Sequence, residues 1–127
     1  MNVEEARKLA EPTVKEVVNC IAEKRYTDIL KYANFENISL SDFKEEIEGF
    51  LELNELPYID KFDVLCTFQP QYEYHQLSCY IYRDGSGFHM DYDLTTDREL
   101  NDLTLQMEFL FMESDVLLAK ILDAHVM

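Results

Sequence analysis

The stretch Tyr74-His75-Gln76-Leu77-Ser78-Cys79-Tyr80-Ile81-Tyr82-Arg83, then Asp84-Gly85-Ser86-Gly87, then Phe88-His89-Met90-Asp91-Tyr92-Asp93-Leu94-Thr95 decides the fold. Both flanks alternate apolar and polar residues with a period of two, the mark of a half-buried strand. The Asp-Gly-Ser-Gly between them supplies the positive backbone angles a hairpin turn needs. Pairing Arg83 with Phe88 sets Ile81 against Met90, Cys79 against Tyr92 and Leu77 against Leu94, which makes one apolar face. The other face pairs Tyr82 with His89, Tyr80 with Asp91 and Ser78 with Asp93, and it is polar. A one-residue slip would mix the two sets, so the clean split argues for a hairpin with these faces.

Working outward toward the C-terminus, Leu103 to Met112 and Val116 to Val126 flank Glu113-Ser114-Asp115 and read as a second hairpin. Pairing Met112 with Val116 puts Leu103, Leu105, Met107, Phe109, Leu117 and Ile121 on one face, with Asp123 and His125 continuing that row. The other face pairs Glu108 with Lys120 and carries Leu110, Met112, Val116, Leu118 and Leu122. A hairpin apolar on both faces needs two covers, and a homodimer through those five residues is the expected second one.

Working toward the N-terminus, Phe62 to Phe68 alternates and reads as a leading strand stopped by Pro70. Before it the period changes to that of a helix. Val3, Ala6, Ala10, Val14, Val17, Val18 and Ile21 recur at spacings of three and four. Pro12 either kinks this helix or begins it after a short turn. Arg25 to Ala33 reads as a short helix, and Asn34 to Asn37 as a loop. Ser39 or Ser41 can cap a third helix, with Phe43, Ile47, Phe50 and Leu51 inward and Lys44, Glu45, Glu46 and Glu48 outward. The expected architecture is a single α+β domain over 1–127. Three N-terminal helices (1–55) pack on a curved antiparallel sheet (60–127) of about five strands.

Composition narrows the function. The chain has 127 residues, 26 acidic and 11 basic, for a net charge of −15, and 47% are hydrophobic. That apolar fraction builds a real core, so the charge is not the mark of a disordered acidic tail. Charge this negative excludes nucleic acid and anionic membranes as partners. No apolar run approaches a membrane span, and Met1 to Ala10 has no signal-peptide core. The charge is lopsided: residues 65–127 hold 11 acids against Arg83, Arg98 and Lys120. Cys20, Cys66 and Cys79 sit in apolar runs at wide spacing, as reduced buried thiols of a cytoplasmic protein do.

Residues 87–127 resemble a family of small bacterial proteins of the NTF2-like, cystatin-like group. The resemblance rests on Gly87-Phe88-His89-Met90-Asp91-Tyr92-Asp93-Leu94-Thr95-Thr96, on Asn101-Asp102-Leu103-Thr104-Leu105, and on the ending Ile121-Leu122-Asp123-Ala124-His125-Val126-Met127. It implies a helix lying across a concave sheet with a cone-shaped pocket between them. It brings no single activity, since such folds serve as isomerase-like and dehydratase-like enzymes, scaffolds and immunity proteins.

Three sets of residues carry the functional expectations. Asp123 and His125, on an otherwise apolar row, have the chemistry of a general acid/base couple, and His75 beside Glu73 could extend it. The same pair also fits a structural role where a strand leaves the core. His89, Asp91 and Asp93 alternate along one strand face, which suits either a divalent cation or plain solvation. No second His or Cys cluster completes a metal set, so neither metal nor cofactor is expected. Tyr72, Tyr74, Tyr80 and Tyr82 alternate too, and tyrosines beside acids are common at protein interfaces. The sequence has no phosphate loop, nucleophile elbow, zincin helix or dinucleotide fingerprint. Two classes of function remain: a non-catalytic binding protein for a basic protein partner, of which an immunity-type inhibitor is the sharpest form, and a small-molecule-binding or lyase/isomerase-like enzyme using the concave pocket.

Overall fold

A computed structural model of the chain describes residues 1–113 and 116–126. Ser114 and Asp115 of the expected second turn, and Met127 of the closing motif, lie outside the described residues. The elements in order are α1 (Val3–Ala22), a 3₁₀ turn η1 (Tyr26–Lys31), β1 (Asn34–Phe35), α2 (Leu40–Leu53), β2 (Leu77–Ile81), β3 (Gly87–Thr96), β4 (Glu99–Phe111) and β5 (Leu117–Val126). The fold is α+β, with five strands in the order β1-β5-β4-β3-β2. All neighbours are antiparallel except β1, which runs parallel to β5.

Local chemistry sets the helix ends. Asn2 and Glu5 form a reciprocal capping box at the start of α1, and the Ser39 hydroxyl accepts the Asp42 N–H at the start of α2. Pro12 lies inside α1, which runs on through it. The expected second helix is only the 3₁₀ turn η1, so the N-terminal half holds two α-helices rather than three. Residues 34–37, read as a loop, contribute the two-residue β1, which pairs Asn34 with Lys120 and Phe35 with Ile121.

The second hairpin forms in the expected register, with Glu108 opposite Lys120 and the Met112 N–H donating to the Val116 carbonyl at 2.8 Å. The first hairpin keeps its faces but slips by two residues: Ile81 faces Phe88, Cys79 faces Met90 and Tyr80 faces His89. Gly87 is the cause. It belongs to the strand, where a Cβ would meet the Phe109 carbonyl oxygen of β4 at 2.0 Å. The loop is therefore Arg83-Asp84-Gly85-Ser86, closed by Gly85 at φ 76° and by the Asp84 carboxylate on Ser86. An even slip leaves every side chain on its own face.

No strand forms over Phe62 to Phe68. Residues 54–76 instead run as an irregular strap around the β3–β4 turn. On the helix side the Phe62 N–H donates to the Asn19 side chain of α1, and the Phe62 ring stacks on Tyr92 at 5.3 Å. At the turn, Asp60 accepts from the Thr95 hydroxyl and from the Asp97 and Arg98 N–H groups. Asp97 and Arg98 both have positive φ, as a two-residue type I′ turn requires. The strap's N–H groups are spent singly, Phe62 on the Asn19 side chain, Asp60 and Thr67 on the Thr95 and Arg98 carbonyls and Val64 on Lys61 of the strap itself, so its apolar alternation never becomes a ladder.

One face of the sheet carries both helices, with α1 over β2 and α2 beside β5. The space between is filled: Phe43, Phe88, Met90, Leu105, Met107 and Phe109 are fully buried. Phe88 stacks on Phe109 at 5.1 Å across the middle of the sheet.

Candidate functional site

The outer face of the sheet gathers most of the polar residues singled out above. One row across it runs Tyr80, His89, Glu108, Lys120, and the next runs Ser78, Asp91, Gln106, Asp123. The His89 imidazole contacts the Asp91 carboxylate at 2.6 Å, and the Gln106 amide donates to the same carboxylate at 3.2 Å. The Tyr80 ring, more than half exposed, tilts over His89 at 6.0 Å between centroids. The Tyr82 hydroxyl donates to Glu108 at 2.5 Å, and burial together with that carboxylate pushes its pKa to about 12. Tyr74 reaches back from the strap to donate to Asp93 at 2.6 Å, and burial and Asp93 raise its pKa far above the usual phenol range.

Tyr74, Tyr80, Tyr82, His89, Asp91 and Asp93 therefore share one face, though not by strict alternation along one strand. β2 spans only Leu77–Ile81, so the strap carries Tyr72 and Tyr74, and Tyr82 lies just past the strand. Tyr72 stands apart, exposed, with its ring 6.4 Å from Phe68. Asp93 is occupied by the Tyr74 and Thr104 hydroxyls. Among the described residues no group of three or more His, Cys, Asp and Glu side chains could hold a metal ion.

Asp123 and His125 are not in the apolar row. The β4–β5 register shifts between Gln106 and Met107, and Leu122 is the extra residue. The buried row Ala119, Ile121 consequently continues at Ala124, and Asp123 and His125 move to half-exposed positions opposite Gln106 and Thr104. They still form a pair, with His125 Nδ1 3.1 Å from Asp123 Oδ2. Their new neighbour is Glu46 of α2. The Glu46 carboxyl shares a hydrogen bond with Asp123, and this contact, burial and the Asp123 charge raise its pKa to about 6. Burial opposes ionisation of Asp123, but Glu46, the Ala124 N–H and His125 hold its pKa below the usual value.

On the proposed dimer face, Leu122 is the unpaired residue of the bulge. Leu110 and Leu118 remain cross-strand partners there, with Met112 and Val116 exposed at the hairpin end. His75 does not join Asp123 and His125: it contacts Glu73 at 2.8 Å just before β2, three strand spacings, about 14 Å, from β5. Cys79 is buried and its thiol is pushed up to about 11 by that burial, the opposite of an activated nucleophile. Cys66, expected to be buried, is half-exposed on the strap.

Two open concavities flank Asp123. One, of about 630 Å³, lies between Ser39, Asp42, Glu45 and Glu46 of the α2 start and Leu122 and Asp123. The other, of about 380 Å³, lies between Gly49, Phe50 and Leu53 and the β5 end at Ala124, His125 and Val126. Sequence reasoning placed Glu45 and Glu46 on a merely solvated helix face and passed over Gly49. The available signal was a glycine inside an otherwise strong helix pattern.

Among the described residues no helix is long and apolar enough to cross a membrane. No curated protein and no solved structure matches the chain. A family model described as Domain of unknown function (DUF7668) matches residues 18–127, from the last turn of α1 through β5, and the chain belongs to that family.

Proposed function

We propose that the protein is a non-catalytic binding protein of the NTF2-like, cystatin-like superfamily that holds a basic protein partner against the outer face of its sheet. One observation carries this reading: Tyr74, Tyr80, Tyr82, Asp91, Asp93 and Glu108 lie together on an open sheet face, while the helix–sheet interior is filled by Phe88, Phe109 and their neighbours. Tyrosines supply contact area at small entropic cost, and carboxylates steer a basic partner toward them. An immunity-type inhibitor of a basic toxin is the sharpest form of the proposal. Self-association through Leu110, Met112, Val116, Leu118 and Leu122 is a separate part of it, checked by light scattering.

The test is capture of partners from the protein's own cell at low and high salt. A specific basic protein retained at low salt, released by salt and lost with Tyr80→Ala plus Asp91→Asn supports the reading. Recovery of the bait alone at low salt overturns it. The Asp123–His125 contact is the one observation favouring a lyase/isomerase-like enzyme, because the carboxylate orients the imidazole. That pair faces an open groove rather than an enclosed, water-excluding pocket, which favours binding.

A further inference from the structure

β1 covers the edge of β5 only at Lys120 and Ile121. From Asp123 to Val126, β5 pairs with β4 on one side, and among the described residues no strand pairs with it on the other. A half-open strand edge is a template for another chain. α2 runs beside this edge and leaves a groove rather than a seal. The two concavities described above share Glu45 and Glu46, so they form one trough of two characters. Its first half is acidic, with Asp42, Glu45, Glu46 and Asp123 and, among the described residues, no lysine or arginine in its lining. Its second half is apolar, with Phe50, Leu53 and Ala124, and Leu53 is 83% exposed.

Gly49 is the independent observation. It lies inside α2, where glycine is the poorest helix former after proline. Nothing in the fold requires it: a Cβ at this position would meet no atom within 4 Å. Its φ is not positive either. What the missing side chain does is keep the middle of the trough open. Seven residues of helix separate Glu46 from Leu53, about 10 Å, the span of about three residues of extended chain.

We propose that the trough between α2 and the free edge of β5 binds an extended peptide segment in which basic residues precede or follow large apolar ones within about three positions. Its backbone adds to β5 along residues 122–126, in the lane β1 vacates. Its basic side chains meet Asp42, Glu45, Glu46 and Asp123, and its apolar ones pack on Gly49, Phe50 and Leu53. The Ala124 N–H, which now donates to the Asp123 carboxylate at 2.8 Å, is a donor the incoming strand can take over. The raised pKa of Glu46 fits an acidic site awaiting a counter-charge, with Asp42, Asp123 and His125 as the other charged groups acting on it. The trough adjoins the outer face at Asp123 but holds none of its tyrosines, and the proposal stands or falls apart from the function proposed above.

The probe is a fluorescein-labelled ten-residue peptide with two arginines followed by two leucines at alternate positions, titrated with the full chain. Controls replace the leucines by serine or the arginines by glutamate. The expected result is saturable binding of the parent peptide, weakened about tenfold or more in both controls, as for the loss of an anchor. Amide shifts should concentrate at 122–126 and 45–53. Gly49→Leu, which fills the trough without touching the core, should weaken binding by a similar factor while its thermal transition stays cooperative. Tyr80→Ala should leave the affinity unchanged. Three results overturn the proposal: no binding of the parent peptide, equal binding of the arginine–serine peptide, or undiminished binding to folded Gly49→Leu.

Discussion

α1 and α2 flank opposite edges of one sheet and treat them differently. α1 buries seven residues, Ala6, Ala10, Val14, Val17, Val18, Cys20 and Ile21, and four of its turns lie against the core. Its small side chains let the helix lie close to β2, and the strap adds a second tie where the Phe62 N–H meets Asn19. α2 buries only Phe43, Ile47 and Leu51, and presents carboxylates, a glycine and an exposed leucine to β5. Beyond Phe35, β1 no longer covers the edge that α2 leaves open. On the β2 side the helix packs for stability. The other side keeps a surface that the fold itself does not use.

The sharpest way to break this contrast is a pair of truncations. Ile21→Ala removes a fully packed side chain on the α1 side and should cost about 2–5 kcal/mol in denaturant unfolding. Leu53→Ala on the α2 side should stay within about 0.5 kcal/mol of the parent, because its side chain already faces water. A large loss from Leu53→Ala would mean that α2 seals its edge after all. Next in size is Asp60→Ala. It removes the acceptor for the Thr95 hydroxyl and for two N–H groups of the β3–β4 turn, and should cost about 1–3 kcal/mol. Hydrogen exchange should then show opening of the strap and turn before β5. Smaller and opposite in sign is Gly49→Ala. It should raise stability by about 0.5–1 kcal/mol, since helical backbone entropy is gained and nothing clashes. A drop in melting temperature would show that the glycine serves the fold.

The same contrast explains what could be read from the sequence. The last hairpin was legible because Glu108 and Lys120 pair only if Met112 meets Val116, and that register holds. Its continuation was not. Alternation alone put Asp123 on the apolar row, and only the three-dimensional sheet reveals the bulge at Leu122 that sends Asp123 and His125 toward α2. The first hairpin kept its faces but not its partners, because the close approach of Gly87 to Phe109 depends on β4, far along the chain. Phe62, Val64, Cys66 and Phe68 have a strand's pattern but do not join the sheet. Phe62 was drawn to Tyr92 on one side of the sheet and Phe68 to Tyr74 on the other. At two residues, β1 was too short for any period to show. The tyrosine face was legible in membership, and the trough was not, because it depends on what α2 leaves uncovered.

The smallest effect is the most specific to the α2 edge. The Glu46 carboxyl has its pKa raised from 4.5 to about 6, mainly by the hydrogen bond it shares with Asp123. A carboxyl raised in the folded state favours folding in its neutral form. Its contribution is therefore fully present below pH 4.5 and is lost as pH rises through about 6, where the folded protein must ionise it beside Asp123. Asp123 works in the other direction and in a lower window. Its depressed pKa contributes stability above its ordinary value of 3.8 and loses it as the pH falls below that. Glu46 is largely exposed, so solvent screening keeps the effect small, and it is read best as a difference between proteins. Melting temperatures of the parent and of Glu46→Gln, measured from pH 4 to 7, should run parallel above about pH 6 and diverge between 4.5 and 6, where only the parent changes slope on this account. Asp123→Asn should also remove the divergence, because the shared hydrogen bond needs both carboxyls. Parallel curves throughout would mean that Glu46 and Asp123 do not share a proton, and that α2 meets β5 without a titrating contact.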